Sequence, residues 1–150
     1  MPQRKLIPDL IRDQQIITFS VDSTVLEAVD EMARRRIGAV LIVEGSSLVG
    51  IFTERDVLTR VIARRRDPAS TRIDEVMTRN PDTLPPDARA SDALDLMRTR
   101  NYRHLPVVAN GRVVGIVSIR DLYAAVQDQL EADILGRDTF IHGGGYGLMA

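Results

Sequence analysis

The strongest constraint on this chain is that it repeats itself. Shifted by 65 positions, Thr18 to Leu58 falls on Thr83 to Tyr123 without a gap. Asp22 meets Asp87, Ala28 meets Ala93, Asp30 meets Asp95 and Met32 meets Met97. Val43 then meets Val108, and Val49-Gly50-Ile51 meets Val114-Gly115-Ile116. Arg55-Asp56 meets Arg120-Asp121, and pairs such as Leu48 with Val113 or Val57 with Leu122 keep their apolar character. A register held over that length requires the two stretches to fold alike. In a chain of 150 residues each copy is too small to shield much interior alone. Two copies related by a pseudo-two-fold gain that interior by burying their sheets against each other.

Each copy reads as strand, helix, hairpin, helix, which predicts an α/β fold. The opening extended segments are Ile16 to Phe19 and Asp82 to Leu84. Ser23 or Thr24 caps the first helix, and Thr24-x-x-Glu27 has capping-box spacing. Leu26, Val29, Met32 and Ala33 form an apolar stripe at helical spacing, and Gly38 follows where chains leave a helix. Ala39 to Val43 is a β-branched run suited to a buried strand. Glu44-Gly45-Ser46-Ser47 turns the chain into Leu48 to Phe52. The second copy has Leu105 to Val108, an Asn110-Gly111 turn and Val113 to Val117, and Asn-Gly between apolar runs is a strong hairpin signal. Closing helices are expected from about Thr53 to Arg65 and from about Ser118 to Leu130. The resulting division is 6–65, an exposed irregular linker 66–72, 73–130, and a tail 131–150. Ile7 to Ile11 and Ile73 to Met77 lead into the two copies.

Composition removes several functions. There is no Cys, so disulfides, thiolate metal sites and thiol nucleophiles are out. The two His residues, His104 and His142, are too few for a His-based metal site. A net charge of -1 gives no general attraction for nucleic acid. No apolar run approaches a membrane span, and Met1 to Leu6 lacks the apolar stretch of a signal peptide, so a cytoplasmic protein is expected.

The residues with chemical potential sit where the second strand of each copy meets its second helix. They read Gly50-Ile51-Phe52-Thr53-Glu54-Arg55-Asp56 and Gly115-Ile116-Val117-Ser118-Ile119-Arg120-Asp121. Ser/Thr-x-x-Asp by itself is close to a capping box, in which hydroxyl and carboxylate satisfy N–H groups at a helix start. The same groups also suit a ligand. A carboxylate accepts hydrogen bonds from the vicinal hydroxyls of a ribose, a hydroxyl adds a directional contact, and Arg reaches a phosphate. A cap needs neither the Arg nor the Gly, and both copies carry both.

With these motifs the chain resembles the CBS (cystathionine-β-synthase-type) domain family, whose members pair two copies into a Bateman module. The resemblance covers roughly residues 6 to 130. It rests on Asp74-Glu75-Val76-Met77-Thr78, Arg103-His104-Leu105-Pro106-Val107-Val108, Gly111 to Ser118, and Arg120-Asp121 taken together. It implies a tandem CBS-domain repeat with pseudo-two-fold symmetry that binds adenosine-containing ligands in two clefts between the copies. AMP, ADP or ATP rank ahead of NAD(H) and S-adenosylmethionine, and no cofactor is obligatory. Carried over residue by residue, Asp56 and Asp121 hold ribose hydroxyls with help from Thr53 and Ser118. Arg55 and Arg120 are the phosphate candidates. Gly38-Ala39-Val40 and Arg103-His104-Leu105 line the base pocket, and Ile17, Thr18, Asp82 and Thr83 flank the base. The resemblance also implies a homodimer and an unidentified regulated protein.

Other features are decoys on this reading. Arg34-Arg35-Arg36 and Arg64-Arg65-Arg66 read as solvated helix ends without aromatic stacking partners, against nucleic-acid binding. His142-Gly143-Gly144-Gly145 is similar to the oxyanion loop of some esterases, but the Gly-x-Ser-x-Gly elbow is missing. Asp92 with Asp95 and Glu27 with Glu31 are acid pairs on helix surfaces. The expectation is a nucleotide-sensing module and not an enzyme. The competing reading is a protein-interaction module with no physiological nucleotide.

Overall fold

The structure, a computed structural model, describes residues 4–11 and 14–141. The first copy runs β1 (Thr18–Ser20), α1 (Val25–Arg35), β2 (Ala39–Glu44), β3 (Ser47–Thr53) and α2 (Glu54–Asp56), which continues as wider helical turns over Val57–Ile62. A 3-10 turn at Ile73–Glu75 and β4 (Thr78–Arg79) lead to α3 (Ala90–Arg100), β5 (His104–Ala109), β6 (Arg112–Ser118) and α4 (Ile119–Ile141). The expected tandem α/β repeat is the observed fold. β1 pairs parallel with β2, β2 pairs antiparallel with β3, and β3 with β4. In the second copy β5 and β6 form the hairpin, and Leu84 bridges Val107 where Phe19 pairs with Ile42 in the first.

Both hairpins carry a β-bulge at equivalent sites. The register slips between Ile42 and Val43 and between Val107 and Val108, which leaves Val49 and Val114 as the extra residues. A bulge resets the alternation of a strand. Hence Leu48 and Ile51, three apart, both join Ala39 and Leu41 in the layer between the copies, with Val113 and Ile116 of β6. Val40, Ile42 and Phe52 point the other way, onto Val25, Ala28 and Met32 of α1. The turns follow their residues. Asn110 and Gly111 both have positive φ (53° and 78°), the requirement of a type I′ hairpin turn.

The lead-in segments are exchanged. Leu6 and Ile11 are buried in the core of the second copy, with Ala93, Met97, Leu105 and Leu122. Ile73, Val76 and Met77 are buried in the core of the first. Main-chain bonds fasten both: Leu6 N–H donates to Ala88 O at 2.9 Å, and Ile73 N–H to Ser23 O at 2.8 Å. Gly50 and Gly115 mark the crossings. A Cβ at Gly50 would collide with the Met77 side chain, and one at Gly115 would lie 3.0 Å from Ile11 and 3.1 Å from Gln14 Oε1. The linker is accordingly less irregular than its composition implies. Thr71 is buried with its hydroxyl on Asp67 O at 2.7 Å, and Pro68 O accepts Leu26 N–H.

Four local expectations are corrected. The buried stripe of α1 is Val25, Ala28 and Met32 with Val29 beside it, while Leu26 is 40% exposed and Ala33 is exposed. Val25 starts an i, i+3, i+4, i+7 series free of charge, whereas the series from Leu26 includes Asp30. The helix exit falls on Arg36 and not Gly38. Arg36 is left-handed (φ 56°), as is its equivalent Asn101 (φ 60°), and Ile37 N–H and Tyr102 N–H close the ends onto Met32 O and Met97 O. The helix expected from Thr53 to Arg65 widens after Asp56, with Ala63 N–H on Leu58 O and Arg66 N–H on Val61 O. Thr59 Oγ1 takes the Arg55 carbonyl at 2.8 Å, competing with the regular ladder. At the other end, α4 passes Leu130, where no Pro or Gly stops it, and continues through Gly136 to Ile141. His142-Gly143-Gly144-Gly145 and the remaining tail lie outside the described residues.

Candidate functional site

A cleft of about 790 Å³ opens between the two copies, within the usual size range of small-molecule sites. One wall is the start of α2, with Thr53, Glu54, Arg55, Asp56 and Arg60. The facing wall is the approach to β5, with Asp82, Arg100, Tyr102, Arg103 and His104. Gly38, Ile51 and Thr78 also contribute to the lining. The inner end is tied by Glu54 N–H donating to Gly38 O at 3.0 Å, and the other copy repeats the tie with Ile119 N–H on Arg103 O at 2.8 Å. A Cβ at Gly38 would lie 3.0 Å from Glu54 Oε1 and 3.1 Å from His104 Cε1, so glycine is what lets these side chains approach.

The Thr53–Asp56 motif forms a complete capping box without any ligand. Thr53 N–H donates to Asp56 Oδ2 at 2.9 Å, Thr53 Oγ1 donates to the same oxygen at 3.1 Å, and Asp56 N–H donates to Thr53 Oγ1 at 3.3 Å. Asp56 Oδ1 faces Arg60 Nε at 3.4 Å. Arg60 is anchored in turn by its donations to Val76 O at 3.2 Å and Met77 O at 2.9 Å. Asp56 is buried, 7% exposed, and that burial pushes its carboxyl above the ordinary range against the opposing pull of the Thr53 bonds and Arg60. The second motif makes the same box: Ser118 N–H on Asp121 Oδ2 at 3.0 Å, and Asp121 N–H on Ser118 Oγ at 3.1 Å. There the carboxylate is exposed.

His104 is half-buried, and burial holds its imidazole below the usual range although Glu54 and Asp121 draw it up. Burial thus favours the neutral imidazole, whose two ring nitrogens can offer one donor and one acceptor. Burial and the bond from Tyr102 Oη to Asp82 Oδ2, 3.0 Å, raise the Tyr102 hydroxyl.

Of the residues singled out in the sequence, the cleft brings together Thr53, Arg55, Asp56, Arg103 and His104, with Asp82 beside them. Ser118, Arg120 and Asp121 stand at the junction of β6 and α4, outside this cleft. Ala39 is buried in the layer between the copies opposite Thr53, Ile17 packs against the first core, and Thr18 pairs with Leu41. Thr83 lines a separate hollow of about 300 Å³ with Ser47, Leu48 and Asn80. Sequence reading passed over Arg60, Arg100 and Tyr102. Arg60 was findable as the i+4 partner of Asp56. Arg100 and Tyr102 carry no local signal, since only the fold sets them across from α2. Among the described residues no His, Asp and Glu cluster suits a metal ion.

Comparison with known proteins gives one answer. The sequence matches the CBS domain family over residues 9–63 and again over 73–128. It is 42% identical over 118 residues to the CBS domain-containing protein CBSCBSPB2 of Arabidopsis thaliana, covering 77% of this chain and 22% of that protein. It is 33% identical over 130 residues to the mitochondrial CBS domain-containing protein CBSX3 of the same plant, covering 83% and 63%. The chain thus spans less than two thirds of these relatives. Among solved structures, a protein with CBS domains from Burkholderia ambifaria superimposes with a TM-score of 0.76 at 32% identity, covering 80% of this chain and 92% of that one. A CBS domain protein from Pyrobaculum aerophilum complexed with AMP gives 0.69 at 29% identity, covering 75% and 86%. The CBS domain pair of protein MJ0100, in complex with 5′-methylthioadenosine and S-adenosyl-L-methionine, gives 0.77 at 28% identity, covering 85% and 99%.

Proposed function

The chain belongs to the CBS domain family, and from that premise we propose that it is a regulatory module that senses an adenine nucleotide in the cleft between its repeats. The observation that carries this reading is the cleft itself. It sets a buried carboxylate with a neighbouring hydroxyl, Asp56 and Thr53, across from Arg103 and His104 of the other repeat. In this reading Asp56 Oδ1, which now faces Arg60, accepts a ribose hydroxyl, while Arg55 and Arg103 meet phosphate. AMP, ADP and ATP are the preferred ligands. The two related domain pairs that carry AMP, or 5′-methylthioadenosine with S-adenosylmethionine, support an adenosyl ligand of some kind. Because the ligand touches both repeats, binding biases their relative pose, and a regulated protein reads that pose. No enzymatic activity is assigned. Residues 6–65 and 73–130 are taken as the two functional units. The module is taken to work in the cytoplasm as a homodimer, with the exposed Leu58, Ile62, Tyr123 and Leu130 as the apolar contribution to that contact. Among the described residues no helix is long and apolar enough to cross a membrane.

One observation favours a second reading. Both capping boxes are complete without a ligand, so Thr53, Asp56, Ser118 and Asp121 are fully accounted for as helix starts. The module would then act through protein contacts alone. Thermal denaturation with AMP, ADP, ATP, NAD, NADH and S-adenosylmethionine separates the two readings. A ligand bound only by the native state stabilises it by about 2.7 kcal/mol at a hundred times its dissociation constant. A raised midpoint that Asp56→Ala weakens supports the sensor. No shift with any member of the panel leaves the interaction module.

A further inference from the structure

The exposed apolar surface of the chain is gathered on two helices. Of seven large hydrophobic side chains exposed among the described residues, six lie on the continuation of α2 or on α4: Leu58, Ile62, Tyr123, Leu130, Ile134 and Leu135. All six are more than half exposed, against 40% for Leu26. Single exposed apolar residues need no explanation, but a gathered set marks a surface that meets something. Tyr123, Leu130 and Ile134 stand at i, i+7 and i+11, one stripe of α4. The two helices start close together, since Glu54 and Asp121 both act on the His104 imidazole.

The 65-residue repeat makes the two helix faces equivalent, with Leu58 corresponding to Tyr123. A second copy can therefore dock with like helices facing or with unlike helices facing, and a two-fold axis closes either pair. Charge separates the two arrangements. The chain leaves the first helix through Ala63-Arg64-Arg65-Arg66, and the equivalent stretch of α4 is Asp128-Gln129-Leu130-Glu131. Arg66 is held by Glu75 at 2.6 Å, while Arg64 and Arg65 are exposed and in no ion pair among the described residues. Asp128 and Glu131 are exposed as well. Asp128 has a long 3.8 Å contact with Arg4, and Glu131 accepts from Gln127 Nε2 at 3.4 Å. Docking like on like sets arginine against arginine and acid against acid. Docking unlike faces sets Arg64 and Arg65 against Asp128 and Glu131, and the two-fold repeats that match. Juxtaposed like charges oppose an arrangement, and complementary ones fix its orientation.

Building on the homodimer reading above, we infer that two copies of this chain dock head to tail, the α2 face of each against the α4 face of the other. Leu58 of one copy packs on Tyr123 of the second copy. Leu58 also lines the Asp56 cleft, so α4 of the second copy borders the cleft of the first.

The test uses the absence of Cys from the chain. Leu58→Cys and Tyr123→Cys chains are oxidised singly, and as a mixture after subunit exchange. Both positions are exposed, so the variants fold. A disulfide forms only between Cα atoms within about 7 Å. The mixture should give a covalent dimer, and neither variant by itself should. Sedimentation then reads the charges. Arg64→Glu with Arg65→Glu should weaken the dimer about tenfold, Asp128→Arg with Glu131→Arg should do the same, and all four substitutions together should restore it. Cross-linking of either cysteine variant by itself overturns the head-to-tail arrangement and leaves the homodimer reading standing. So does a dimer that cross-links in no combination, or one indifferent to both charge reversals. A parent chain that sediments as a monomer at every concentration sinks both.

Discussion

Asp56 has two roles in this structure, a helix cap and a candidate ribose acceptor, and one pair of substitutions separates them. Asp56→Ala removes the acceptor for Thr53 N–H and for Thr53 Oγ1. Losing a cap of this kind costs about 1 kcal/mol, with a span of roughly 0.5 to 2. The ion pair adds little, because Arg60 is 47% exposed and keeps its two carbonyl partners. For a chain of this size about 1 kcal/mol lowers the midpoint by about 2–4 °C. Asp56→Asn keeps an oxygen for Thr53 N–H and discards the charge. Burial raises the Asp56 carboxyl in the folded state, so the native protein holds that proton more tightly than the unfolded chain. The associated stability is fully present below the ordinary value of 3.8 and is lost as pH rises through the folded value. The Asn variant has no such loss. It should gain on the parent as pH rises from below 3.8, and the gap should be constant once Asp56 is fully ionised. Thermal melts of parent, Asn and Ala chains from acid to neutral pH read this directly, with nucleotide affinity measured on the same samples. The expected pattern is a stable Asn variant and a destabilised Ala variant that both bind nucleotide poorly. An Asn variant as unstable as Ala at pH 7, or a gap that shrinks as pH rises, would refute the reasoning.

Three further outcomes follow from the geometry. Arg36 is a non-glycine residue in left-handed backbone at the end of α1, so Arg36→Gly should stabilise by about 0.5–1 kcal/mol, read as a higher urea midpoint at unchanged slope. Gln14→Ala should cost about 1–2 kcal/mol by denaturant titration, because the amide of Gln14 meets both Ile116 N–H (2.8 Å) and Ile116 O (2.9 Å). His104 has a depressed folded value, so its contribution is present above the ordinary 6.5 and lost as pH falls through the folded value. Parent stability should therefore decline in that window, and His104→Gln should flatten the decline in melts between about pH 7 and pH 5.

The hairpins were legible because β-branched runs flanking Asn110-Gly111 and Gly45-Ser46 leave few alternatives. The bulges at Val49 and Val114 were not, since an extra residue in a strand of valines changes no local pattern. Val25 and Leu26 begin two overlapping stripes on α1, and only the partner surface chooses between them. The exchange of Leu6 and Ile73 between cores was hidden for a related reason: chain order suggests that a lead-in covers the unit it precedes. Gln14 shows the limit most clearly. It stands at the position equivalent to Arg79, whose backbone pairs with Gly50 in β3, yet it offers Ile116 a side-chain amide. Thr53 and Asp56 were found because the motif occurs twice. Arg100 and Tyr102 line the cleft from its far wall, where sequence spacing says nothing.

The crossed lead-ins have a bearing on how such a chain holds together and how it comes apart. Each half lends its first few residues to the interior of its counterpart, the topology of a swapped dimer written into one polypeptide. A single half released from its neighbour has an uncovered core and a lead-in with nowhere to dock except a second copy. A half-length chain is thereby steered toward self-association, whereas the tandem chain makes the same encounter intramolecular, at high effective concentration. The same reciprocity makes the halves poor candidates for stepwise melting, because opening either one strips apolar cover from the other.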